Sequence, residues 1–409
     1  MTQRFAARLM PADRAATPYL DVPVEIGDGV RSMEVELRFD PSAGVIDLGC
    51  EGPNGWRGWS GGARHRFVLT EHDATWGYVP GPLEPGIWHV VLGLHRVAAT
   101  GVSVELTVHA PARRDVEPDP PAPPSRGSPR SGASARRLPS SECLTWWACD
   151  FHSHTLHSDG ALSVDQLAAR AAGVGLDVLA VTDHNTVSAH RQLPAAATRY
   201  GLTVMPGQEM TTDRGHANAL GTPSFIDFRQ HPNTWIDAVG RHGGVLSVNH
   251  PVAGDCSWQW DVRAKPRVVE AMHSSWRFSP GDTSIWAWLA AWGHHDLTVI
   301  GGSDFHVDGE GVDVGSPTTW VAAPDPSEAS ILAAVTAGDT SVSAGSPMSG
   351  PVLLRLGDEI VAVDADGAIH TDWEGRQRVI HGPRVRIRDA TPGIHRLVSS
   401  TGHTLAMTG

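Results

Sequence analysis

Between residues 17 and 110 apolar and polar positions alternate in short runs, at Val30–Leu37, Arg66–Leu69, Trp88–Leu94 and Val102–Val108, with Gly/Pro turns such as Gly81–Gly86 between them. Successive side chains on a strand point to opposite faces, so this pattern predicts half-buried strands at the spacing of a small antiparallel sandwich. No cluster of reactive side chains marks this region, and its expected role is structural. From 111 to 140 the chain is rich in Pro, Ser, Gly, Ala and Arg. Such a composition cannot bury enough apolar surface to order itself, so a disordered linker is expected, with Arg126, Arg130, Arg136 and Arg137 as a solvated basic spacer.

Beyond residue 141 the pattern changes to alternating strands and helices. Ser163–Ala172 opens on an N-cap serine, keeps apolar residues on one face and stops before Gly173 and Gly175, whereas Val178–Val181 is the unbroken apolar run of a buried strand. Helices are expected near 188–200, 233–242, 283–293 and 327–337, and strands near 203–205, 216–221, 245–248, 267–270 and 297–300. Repeated strand–helix units predict a parallel sheet closed into a barrel, with functional residues at the carboxyl ends of its strands. The expected layout is a β-sandwich over 1–110, the linker over 111–140, an α/β barrel over 141–345 and a small β-rich appendage over 346–409.

Composition narrows the function. A length of 409 residues suits two or three domains. The 44 Gly, 30 Pro and 15 Trp describe a turn-rich globular chain. A formal charge of −13 speaks against a general nucleic-acid or anionic-membrane surface, because those partners need a positive field. The four cysteines show no paired spacing, which favours reduced thiols. No apolar leader or 18-residue apolar run stands out, so a soluble cytoplasmic protein without a membrane partner is expected.

The chemistry gathers at the strand ends. In Asp150–Gly160, Asp150, His152 and His154 share one strand face and Asp159 follows in a turn. Later strand ends add His184 in Thr182-Asp183-His184-Asn185, Glu209 in Gly207-Gln208-Glu209, His216, His250 before Pro251, and Asp304 and His306 in Gly302-Ser303-Asp304-Phe305-His306. Singly each reads as an ordinary polar residue; together they read as metal ligands. Imidazole and carboxylate without thiolate suit Zn, Mn or Fe, and a bridging carboxylate can hold two such ions about 3.5–4 Å apart. Two or three divalent ions are expected, giving hydroxide from a bridging water at neutral pH. Asp304 would orient that water, His306 or His157 would protonate a leaving group, and Asp150 would orient a ligand imidazole. Trp258, Trp260 and Trp276 read equally as an aromatic substrate wall or as core. His294-His295 has no evident role.

The set Asp-x-His-x-His…Ser-Asp-Gly, Thr-Asp-His-Asn, Gly-x-Glu, Asn-His-Pro and Gly-Ser-Asp-x-His, over residues 148–322, resembles the polymerase-and-histidinol-phosphatase (PHP) superfamily. The resemblance implies a distorted (β/α)7 barrel with up to three metals. His152, His154, Glu209 and Asp304 would hold the first, Glu209, His216 and His250 the second, and Asp159, His184 and His306 the third. Gly215–Gly221 and the preceding β domain look most like the carbaryl-hydrolase (CehA/McbA-like) branch, some of whose members have His where this chain has Asp159. Two activities follow: a phosphoesterase acting on a small phosphate mono- or diester, or a carbamate, ester or amide hydrolase. A catalytically silent binding module would need losses at ligand positions, and none is apparent. The acidic balance counts against a long nucleic-acid substrate.

Overall fold

Eight strands form at the N-terminus: β1 (Thr2–Leu9), β2 (Tyr19–Ile26), β3 (Ser32–Phe39), β4 (Gly44–Gly52), β5 (Gly55–Gly61), β6 (Arg66–Thr70), β7 (Gly86–Val97) and β8 (Val102–His109), with one short helix, α1 (Pro11–Ala16). In this computed structural model the described residues are 1–125, 134, 136–141, 143–274, 281, 283–293, 297–388 and 390–409. The strands build two antiparallel sheets, β1-β8-β3-β6 and β2-β7-β4-β5. Alternate residues of both sheets, among them Val22, Val24, Val35, Leu37, Trp88, Val104 and Leu106, bury into one core. The alternation visible in the sequence is thus the inward face of a sandwich.

At the start of the expected linker, the Arg113 amide donates to Glu34 Oε2 at 2.9 Å and the Arg114 guanidinium to Oε1 at 3.0 Å. Trp76 Nε1 donates to Asp119 Oδ1 at 2.6 Å. Linker residues 126–133 and 135 lie outside the described residues, as do Trp276 and His294-His295. The first compact unit comprises Met1–Pro121 and two later segments, Thr155–Ser163 and Asp183–Arg191; the remaining residues form the second.

In the second unit seven strands follow in order: β9 (Thr145–Asp150), β10 (Val178–Val181), β11 (Thr203–Thr212), β12 (Gly215–Leu220), β13 (Val245–Val248), β14 (Val268–His273) and β15 (Thr298–Gly302). The helices are α2 (Val164–Val174), α3 (Leu193–Tyr200), α4 (Pro232–Arg241), α5 (Ser284–Trp292) and α6 (Glu328–Ala337). Neighbouring strands pair in sequence order, and their fully buried runs match the apolar stretches of the sequence. They are parallel except at β12, which pairs antiparallel with both β11 and β13. The all-parallel expectation is corrected there: Thr212 pairs with Gly215, and a two-residue hairpin loop can only join antiparallel strands.

Among the described residues, the ends of this seven-strand run meet just beyond their carboxyl termini. Ser153 and Phe305 form a parallel bridge, with Asp304 N–H donating to His152 O at 2.8 Å and His154 N–H to Phe305 O at 3.0 Å. Elsewhere the strand beside β9 is β16 (Thr318–Ala323), which is antiparallel to it. From β16, Thr319 Oγ1 donates to Gly301 O at 2.8 Å and accepts from Gly301 N–H at 2.7 Å, a side-chain link in place of a ladder.

The sheet continues through β17 (Thr340–Ser343) into the C-terminal strands β18 (Val352–Leu356), β19 (Glu359–Val363), β20 (Ile369–Thr371), β21 (Gln377–Val379), β22 (Arg384–Ile387), β23 (His395–Val398) and β24 (Thr404–Thr408). Strands β24, β23, β20 and β21 extend the main sheet, while β18, β19 and β22 form a separate three-stranded one. Among the described residues no helix is long and apolar enough to cross a membrane.

Candidate metal centre

Strand ends β9, β11, β12, β13, β14 and β15 bring His152, His154, Glu209, His216, His250, Glu270, His273 and Asp304 together. Glu209, fully buried, stands at the middle. Its Oε1 lies 3.3 Å from His152 Nε2, 3.1 Å from His216 Nδ1 and 3.4 Å from His250 Nε2, and its Oε2 lies 3.7 Å from His154 Nε2. Asn249 Nδ2 donates to the same Oε1 at 3.0 Å. Asp304 is the second focus: its Oδ1 is 3.1 Å from His152 Nε2 and 2.9 Å from His154 Nε2, and its Oδ2 is 3.0 Å from His273 Nε2. His306 Nδ1 donates to the Asp304 carbonyl at 2.8 Å, and its ring stacks on His154 at 4.2 Å.

The backbone at these strand ends is bent to suit. Asp304 has φ 50° and His250 φ 25°, left-handed values that non-glycine residues seldom adopt and that concentrate at functional sites. Gly302 explains how β15 comes so close: a Cβ there would meet His152 Cβ at 2.3 Å and Glu270 Oε1 at 2.6 Å. Asp150, expected to orient an imidazole, instead holds backbone. Its Oδ1 accepts from His152 N–H at 3.2 Å and Ser303 N–H at 3.0 Å, and its Oδ2 from Gly315 N–H at 2.8 Å. Two of the three amides lie 153 and 165 positions away in the chain, so the carboxylate ties separate segments together.

The carboxylate that does orient an imidazole is Glu270. Its Oε1 accepts from His152 Nδ1 at 3.1 Å and its Oε2 from His250 N–H at 2.9 Å. Neither Glu270 nor His273 was expected from the sequence. Their signal was a further strand end, Val268-Val269-Glu270-Ala271-Met272-His273, but strict alternation puts 270 and 273 on opposite faces. A register shift between Glu270 and Met272 brings both to the site. Cys256 was also missed; its Sγ lies 3.5 Å from His250 Nδ1.

Burial and charge oppose each other throughout. Burial alone would lower the pKa of His152, yet Asp304, Glu209 and Glu270 outweigh it and raise that pKa well above the ordinary value. Burial would raise Asp304, but His152, His154 and His273 hold it well below the usual carboxylate range. Two buried carboxylates, Glu209 and Glu270, beside the partly exposed Asp304 demand compensating positive charge. His152 Nε2 is buried without a hydrogen-bond partner and faces Glu209 and Asp304, a donor set of hard oxygens and imidazoles that fits divalent ions. The sets His152/His154/Glu209, His216/His250/Cys256 and His152/His250/Glu270/His273 each bring one ligand atom per residue within 4.8 Å of the others.

Of the other expected site residues, Asp159, His184 and His157 belong to the first unit and Trp258 and Trp260 to the second. Asp159 Oδ1 lies 3.5 Å from His184 Nε2. His157 is buried, its Nδ1 is 2.7 Å from Ser188 Oγ, and burial lowers its pKa to about 4, so the ring is neutral at pH 7. Trp258 is buried, and Trp260 stacks under the Arg214 guanidinium at 4.1 Å.

The arrangement is that of a buried histidine–carboxylate centre for divalent metal. Residues 150–251 match the PHP domain family. A 5'-3' exoribonuclease of Haemophilus influenzae is 38% identical over 64 residues, covering 16% of this chain and 23% of that protein. The 5'-3' exoribonuclease Rnm of Escherichia coli K12 is 40% identical over 65 residues, covering 15% of this chain and 22% of that protein. The matched stretch thus spans less than a quarter of these curated relatives. Among solved structures, a two-domain Bacteroides vulgatus protein containing a predicted PHP-like metal-dependent phosphoesterase superposes with TM-score 0.41 at 17% identity, covering 69% of this chain and 99% of that one.

Proposed function

We propose that this chain is a metal-dependent hydrolase that cleaves small phosphate esters. The observation carrying this reading is Glu209, a buried carboxylate within 3.7 Å of ring nitrogens of His152, His154, His216 and His250, placed to bridge two ions. Divalent ions held there would lower the pKa of coordinated water toward neutrality and polarise the electrophile. Asp304, held ionised by three imidazoles, is an acceptor that orients water at the same edge, while Glu270 keeps Nε2 of His152 directed inward. The PHP match, and the two relatives named as exoribonucleases, support phosphate over carbamate chemistry; a net charge of −13 favours a small substrate over a long polyanion.

The test is elemental analysis of purified protein, followed by a turnover screen of phosphate mono- and diesters beside aryl carbamates. Bound divalent metal with phosphate-ester turnover is the expected result. Absence of metal from active protein, or turnover confined to carbamates, would overturn it.

A further inference from the structure

The sequence assigns the N-terminal sandwich no chemistry, yet the segments carrying Asp159 and His184 belong to its compact unit. Arg64 precedes β6 and is half-buried. Its Nη2 donates to Leu156 O at 2.6 Å and its Nη1 to Ser158 O at 2.8 Å, so one guanidinium clamps two carbonyls of the turn that leads directly into Asp159. The ring of Trp76 lies 5.6 Å beneath it.

Asp183 fastens the other side of the turn. Its Oδ1 accepts from Thr155 N–H at 2.8 Å and Ser158 Oγ at 2.7 Å, and its Oδ2 accepts from Thr155 Oγ1 at 2.8 Å. Inside the turn, Ser158 and Gly160 amides both donate to Thr155 O at 3.0 Å. The segment bearing His184 is tied to the sandwich as well: Thr186 Oγ1 donates to Gly77 O at 2.7 Å. Gly77 has φ 94°, and a Cβ there would meet Trp59 O at 2.5 Å and His157 O at 2.9 Å, so glycine alone permits this approach.

We propose that Arg64 is a positioning residue through which the N-terminal sandwich fixes the Leu156–Ser158 turn and so sets Asp159 against His184. This deepens the functional reading above, on which the role of Asp159 and His184 as metal donors rests. Burial lowers the Arg64 pKa, and Tyr78, Asp183, Asp159 and Glu117 oppose that shift, so the charge sits where it also balances the two aspartates. A lysine, a single point charge on a flexible stem, cannot reproduce the two-pronged contact.

Full-length Arg64→Ala and Arg64→Lys, each with and without Asp159→Ala, test this. Hydrogen exchange of the peptide spanning 155–163 should quicken by about tenfold or more in Arg64→Ala and less in Arg64→Lys, as expected for loss of two charge-assisted hydrogen bonds. Peptides from β4 and β11 should exchange as in the parent and report that the fold is intact. In Mn(II) titrations Arg64→Ala should weaken the same class of sites as Asp159→Ala, by about 10–100-fold, and the double variant should lose nothing further. Unchanged exchange over 155–163 in a folded variant, or additive losses in the double variant, would overturn the proposal. Should the parent bind no Mn(II), the metal reading fails, while the exchange comparison still decides whether Arg64 holds the turn. If Arg64→Ala does not fold, Arg64→Lys carries both measurements.

Discussion

Glu270 Oε1 lies 3.1 Å from His152 Nδ1, and the other oxygen of the same carboxylate accepts the backbone N–H of His250 at 2.9 Å. A carboxylate only accepts, so Nδ1 of His152 donates to Glu270 and Nε2 is directed toward Glu209 and Asp304, where a divalent ion, once bound, would displace its proton and take its lone pair. One side chain on β14 therefore sets both a ring orientation from β9 and a backbone position from β13. Glu270→Gln, which keeps the size and loses the charge, should weaken metal affinity by about 10–100-fold. Competition with a chelator of known affinity measures it. An unchanged affinity would reduce Glu270 to a packing residue.

The position of Glu209 among four imidazoles leads to a stoichiometry. Active protein should hold at least two divalent ions per chain, and Glu209→Ala should lower the bound metal by more than one equivalent, because a shared ligand is removed from both positions at once. Inductively coupled plasma analysis of protein exchanged into metal-free buffer gives the count. Loss of a single equivalent would mean that Glu209 serves one ion and does not bridge.

Much of the centre was legible because each motif stands where an apolar run ends. Val178–Val181 and Val245–Val248 announce their strands, and the polar residues that follow have nowhere to point but the carboxyl edge. What escaped depended on departures from regular geometry. The irregularity between Glu270 and Met272 hides Glu270 and His273 from a period of two. The hairpin at Thr212 and Gly215 reverses β12 inside an otherwise parallel series, and no hydropathy pattern encodes strand direction. Tertiary burial accounts for His157, whose turn looks polar in sequence but is covered in the fold. The contacts of Arg64 join residues more than ninety positions apart, a relation that single-sequence reasoning does not reach.

A second pair of histidines makes stability depend on pH. His395 Nε2 donates to Thr391 O at 2.8 Å, so its Nδ1 is the acceptor for His370 Nε2–H at 2.9 Å and both rings are neutral. Burial, with His395 and Arg378 adding to it and Asp372 opposing, lowers the His370 pKa from 6.5 to about 4. A depressed histidine means the unfolded chain binds a proton that the folded chain refuses. The contribution to stability is therefore complete above about 6.5 and is lost as pH falls toward about 4. His157, also lowered to about 4, acts in the same direction. The melting temperature should drop between pH 7 and pH 5, and His370→Gln should flatten that slope. A variant that keeps the full slope would place its origin elsewhere.

The substrate preference is the most exposed of these expectations. Turnover of phosphate esters should exceed that of aryl carbamates, since a phosphoryl group spreads developing charge over several oxygens and gains from more than one cation, whereas a carbamate offers one carbonyl to polarise. Asp304 tests whether a single centre serves both: it faces His152 and His154 through one oxygen and His273 through the other. Asp304→Asn keeps the shape but removes the charge that those imidazoles stabilise, and kcat should fall by about two orders of magnitude or more on either substrate. His273→Gln should cost less, because His273 contacts one oxygen of Asp304 whereas His152 lies beside both Glu209 and Asp304. Steady-state assays with metal content measured in parallel separate lost chemistry from lost metal. If carbamates are turned over faster by a wide margin, with Asp304→Asn still inactive, the centre stands as a metallohydrolase site and the phosphoesterase assignment gives way to the carbamate one.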